Sequence, residues 1–140
     1  MGKINICRLI LGGIVAGLVS DLLAYLVDGL LLQQGWNDAM LALDHPSLAG
    51  NQIILFNVLG LIGGIAAIWV YVGIRPRFGA CWKTAIYAGL TVWVIGVLIP
   101  NASFMYVALD MNKHLTLYTT LGGLVEVVAG TVAGAALYKE

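Results

Sequence analysis

Two carboxylic acids, Asp21 and Glu126, stand near the midpoints of two long apolar runs. A carboxyl group at such a depth can take up a proton, hold a cation or the polar head of an apolar ligand, or act as a general acid or base. Placing an ionisable group at mid-membrane costs roughly 2.5–3.5 kcal/mol, so its presence asks for a reason. A helix rises ~1.5 Å per residue, and on that measure Thr91 lies at the same level as the two acids, while Asp28, Asn57 and Thr119 lie a further roughly 10 Å toward the other side. The candidate site is therefore Asp21, Asp28, Asn57, Thr91, Thr119 and Glu126, arranged in two polar layers. No Lys or Arg lies among the three acids to neutralise them. They cannot all be ionised cheaply, and close carboxylates tend to share a proton.

Two readings of this cluster stand side by side. In the first it is a protonatable binding site for a small solute, a proton or a cation. In the second the neutral acids hydrogen-bond each other, Thr91 or Asn57 as glue between helices, worth about 0.6 kcal/mol per contact. A membrane enzyme using Glu126 or Asp21 as acid or base on an apolar, lipid-like substrate is the alternative function, and a purely structural or partner-binding role is a third. No phosphate-binding Gly-rich loop, Ser/His/Asp set or CxxC motif supports other chemistry, and no cofactor or nucleic acid is called for. His45 and His114 lie beside Asp44 and Asp110, but their spacing fits no zinc template, so no metal site is expected.

The elements that must position these residues follow from composition. Hydrophobic residues make up 61% of the 140 and charged ones only 10%, with a mean hydropathy of +0.95. Four apolar runs, 9–32, 53–74, 82–99 and 115–137, are each near the ~20 residues that cross ~30 Å of hydrocarbon as a helix. The expected fold is thus one all-α domain, an integral membrane four-helix bundle running up-down-up-down.

Small and polar residues mark one face of each span. In the first they are Gly13, Gly17, Asp21, Ala24 and Asp28; in the second Asn57, Gly60, Gly64, Ala67 and Tyr71; in the fourth Thr116, Thr119, Gly123, Glu126, Gly130 and Ala133. Steps of three and four residues make each set a helical stripe. The pairs Gly60/Gly64 and Gly130/Gly134 let helices approach closely, and exceed what one small bundle needs, which points to a homo-oligomer such as a dimer.

Between the spans, 36–43 is expected as a short amphipathic turn, with Ser47 capping the next helix. Arg75-Pro76-Arg77-Phe78-Gly79 is expected to end the second span, the proline disfavouring helix before it and the glycine relieving the turn. Pro100 either ends the third or lets it run on through 100–109, and the sequence does not decide which. With the N-terminus inside, Lys3, Arg8, Arg75, Arg77, Lys83 and Lys139 are all cytoplasmic and Lys113 alone is outside. That bias places both termini in the cytoplasm. Cys7 and Cys81 then sit on the reducing side, where a disulfide is not expected.

The opening Met1-Gly2-Lys3-Ile4-Asn5, the Arg75-Pro76-Arg77-Phe78-Gly79 turn and the ending Gly134-Ala135-Ala136-Leu137-Tyr138-Lys139-Glu140 give the chain a plan that resembles small bacterial four-span membrane proteins of the domain-of-unknown-function type. The resemblance implies a bacterial inner membrane and lipid surroundings, and carries no activity with it.

Overall fold

The computed structural model describes residues 4–46 and 50–139; the cap expected of Ser47 lies outside them. Five helices account for nearly all of this chain: α1 (Ile6–Leu31), α2 (Gln33–Ala42), α3 (Gly50–Phe78), α4 (Trp82–Ala108) and α5 (Lys113–Leu137). All but α2 are long and apolar enough to cross a membrane, yet at most 33% of the most apolar stretch of any of them is buried inside the protein. A chain that leaves so much Leu, Ile and Val outward needs hydrocarbon as its solvent.

Local chemistry explains where the helices start and stop. Asn5 Oδ1 accepts from the Arg8 amide at 3.1 Å and Asn112 Oδ1 from the His114 amide at 2.9 Å, capping α1 and α5. At the end of α3 the helix runs through Pro76 to Phe78 rather than stopping before the proline. The stop is Gly79, whose φ of +83° closes the last turn with its amide bonded to the Arg75 carbonyl at 2.8 Å. Asp44 and Asp110 do the same work after α2 and α4 at φ of 55° and 45°. Both are turn-closing residues, and among the described residues no three His, Cys, Asp or Glu side chains gather as a metal-ligand set.

Pro100 does not end α4. Its φ of −59° is helical and the chain continues to Ala108 through two wide-turn π-helical stretches, Val94–Leu98 and Asn101–Ala108. A proline inside a helix has no N–H to give and crowds the carbonyl one turn back. Shifting to i→i−5 bonds, as Leu109 does to Phe104 at 2.8 Å, keeps the backbone paired where no water is at hand. Helix α1 ends in a similar stretch, Tyr25–Leu31, which carries Asp28.

Helix α1 is the hub. Its glycines take α3 on one side and α5 on the other: Gly13 and Gly17 lie against Ile65 and Leu61, and Gly12 and Ala16 against Gly134 and Gly130. A methyl group at Gly12 would stand 2.7 Å from the Gly134 carbonyl oxygen, and one at Gly64 would collide with backbone at Gly13 and Gly17. The contacts run in opposite order along α1 and each neighbour. Gly60, Gly64, Gly130 and Gly134, read from the sequence as faces for an oligomer, each pack against a neighbouring helix of the same chain.

The core of Leu9, Ala16, Ile68, Tyr71, Val72, Ala85, Ala88, Ala135 and Tyr138 gathers at the end holding both termini and the 79–81 turn. There Thr84, fully buried, donates to the Gly79 carbonyl at 2.8 Å, tying α4 to α3. Farther along, α3 buries nothing before Gly64 and α4 buries only Met105 beyond Gly89. The two helices are joined at one end and leave a gap toward the other.

Candidate functional site

Glu126 projects from the buried stripe of α5, between Gly123 and Gly130, and is 9% exposed. Its Oε1 is buried and has no hydrogen-bond partner among the described residues. Such orphaned acceptors are rare in folded proteins, because losing water without gaining a donor costs about 1–3 kcal/mol. Beside it, Ser20 of α1 donates not to the carboxyl but to the Glu126 backbone carbonyl at 3.0 Å.

Asp21 is one residue further on in α1. Its carboxylate lies directly against Gly60 of α3, where any side chain would strike it. This is the specific use of that glycine: it makes room for the acid. Asp21 and Glu126 line one crevice of about 280 Å³ in the gap between α3 and α4, with Ser20 between them and apolar walls that include Phe56, Leu59, Val92 and Val97.

The second layer is partly assembled. Asp28 Oδ1 accepts from Trp36 Nε1 at 3.0 Å and from Thr119 Oγ1 at 3.3 Å, so one carboxylate oxygen joins α1, α2 and α5. Asp21, resting on α3, shares the crevice with Glu126, while Asp28 is bonded into a separate polar junction.

Asn57 and Thr91 do not join the cluster. Both are exposed. Asn57 Nδ2 donates to the Ile53 carbonyl at 2.7 Å and Thr91 Oγ1 to the Tyr87 carbonyl at 2.8 Å. Each satisfies itself on the preceding turn of its own helix, which removes the need for a partner across the bundle. Asn57 does share a stripe with Gly60 and Gly64, but its side chain turns back onto its own helix.

Other polar contacts escaped the sequence reading. Nothing in the spacing shows that Trp36, in the expected 36–43 turn, reaches Asp28. Trp93 Nε1 donates to the Thr120 carbonyl at 2.9 Å, and Asn101 Nδ2 to Thr120 Oγ1 at 3.0 Å, forming a separate seam between α4 and α5. Asn101 is usable there because the helix survives Pro100. At the opposite end the Arg75 guanidinium lies 5.2 Å from the centre of the Tyr138 ring, which meets Tyr71 edge-on at 6.3 Å.

Comparison of the chain with protein-family models, curated proteins and solved structures finds no match.

Proposed function

We propose that the chain is a four-span, up-down-up-down protein of a bacterial inner membrane, with both termini and the 79–81 turn in the cytoplasm, that binds or passes a small solute, proton or cation at Glu126 and Asp21. The observation that carries this reading is the unpartnered Glu126 Oε1 at the floor of a crevice. Interhelical glue would have its bonds made. Here the chain holds a costly acid in place without a donor, and a group kept at such a cost is kept for what reaches it.

The orientation rests on charge: Arg8, Arg75, Arg77, Lys83 and Lys139 all belong to the end that gathers the termini and the turn. Asp28, bonded to Trp36 and Thr119, then lies between the crevice and the outside, where α2 sits over it. A proton or cation moving outward from Glu126 meets Asp28 next.

Infrared difference spectra between acid and alkaline pH test the reading on protein in lipid nanodiscs. The carbonyl band of a protonated carboxyl should appear at low pH, and Glu126→Gln should remove part of it while the protein stays folded. If the spectrum of Glu126→Gln matches the wild type, Glu126 does not exchange protons and the reading fails.

A further inference from the structure

We propose, resting on the reading just given, that the crevice takes a protonated primary or secondary amine with a compact apolar body, entering sideways from the lipid between α3 and α4.

The charge of the ligand follows from what the chain lacks. No Lys, Arg or His occurs in 9–44, 51–74, 84–112 or 115–138, so every helix wall at the level of the crevice is free of cationic side chains. Asp21 from α1 and Glu126 from α5 line the crevice, Asp28 lies beyond it on α1, and α3 and α4 bring no titratable group to that level. The complement to that field is positive, and in a low-dielectric setting complementarity of charge decides which ligand is tolerated.

The class of cation follows from the donors and acceptors. A bare metal ion such as calcium takes 6–8 oxygen ligands. The crevice supplies two carboxylates and the hydroxyls of Ser20 and Thr131, which are engaged with the Glu126 and Val127 carbonyls, and its other side chains are apolar. A quaternary ammonium has charge and no N–H. Glu126 Oε1 needs a donor, and a protonated primary or secondary amine supplies charge and N–H together, which makes the stronger, charge-assisted bond.

The route follows from the mouth. Phe56 and Leu59 on the α3 rim are 67% and 56% exposed. Gly63 and Gly96, facing the gap from α3 and α4, have nothing within 4 Å of where a side chain would begin. The opening thus lies on the lipid-facing flank of the protein. About 280 Å³ is at the small end for a ligand cavity, room for one ring and a short chain.

Equilibrium binding of 2-phenylethylamine to the full chain in nanodiscs, corrected for partition into empty nanodiscs, tests this, with 2-phenylethanol as the uncharged comparator. Saturable binding of the amine is expected, weakening by at least about tenfold in Glu126→Gln and as pH falls and the carboxyl is protonated. Gly96→Leu, which fills the mouth and leaves both acids in place, should weaken it too and keeps the test open if Glu126→Gln does not fold. Equal binding of the alcohol, binding unchanged by Gly96→Leu, or no saturable binding overturns the proposal. If the infrared titration of Glu126 is present and the amine does not bind, the ligand class alone is wrong; if the titration is absent, the site reading falls with it.

Discussion

Glu126 and Thr84 show the two uses of a buried polar side chain in this protein. Thr84 has all its bonding done and joins two helices, whereas Glu126 holds an acceptor open. Thr84 also shapes its surroundings: its side chain and amide hydrogen-bond to Cys81 and hold that exposed thiol below its ordinary pKa. Thr84→Val should therefore raise the thiol's pKa and slow maleimide labelling of Cys81 near neutral pH, an effect read from the alkylation rate against pH. An unchanged profile would remove Thr84 as the cause. Asp21 and Glu126 were legible in the sequence because a mid-span acid is conspicuous against an apolar background. Ser20 was not, since a serine beside an acid satisfies itself in many ways, and Asn57 and Thr91 misled because depth and stripe give no warning of a bond to the preceding turn.

The helices themselves were largely legible, and their ends less so. Apolar runs at 9–32 and 115–137 correspond to α1 and α5 within three residues at either end. Proline blurred the ends: the second span runs through Pro76 to Phe78, and Pro100 left the end of the third open. The rule that proline stops a helix assumes that water can take over the freed carbonyls; around Pro100 the helix instead continues by widening its turns. Close packing is where single substitutions should tell most. Gly64→Ala puts a methyl group into the Gly13 and Gly17 backbone and should cost about 1–3 kcal/mol as α1 and α3 are forced apart. Gly63→Ala, one residue away and facing open space, should stay within about 0.5 kcal/mol. Thermal unfolding of the pair in one detergent gives the comparison, and equal losses would contradict the packing described. Trp36→Phe removes one of two bonds to Asp28, so α2 should open more easily: faster amide exchange over 33–42, with a global loss near 0.6 kcal/mol.

For the molecule as a whole, the chain is built around α1, with a tight end where the termini and the 79–81 turn meet and a looser end where α3 leaves α4. The charge asymmetry of the sequence predicts that the tight end faces the cytoplasm. Cys7 and Cys81, both exposed and both at that end, provide the check: a membrane-impermeant maleimide should label neither in intact cells and both in inverted membranes, and labelling in intact cells would reverse the topology.

What the account depends on most is that Glu126 is kept for what it binds and not for what it holds together. The stability of Glu126→Leu against the wild type, from reversible unfolding in the same lipid or detergent, measures this most directly. An acid with an unmet acceptor contributes little to the fold, so the leucine variant should be as stable as the wild type or more so. A loss of about 1–2 kcal/mol, the size expected from breaking bonds between helices, would show instead that Glu126 is structural glue.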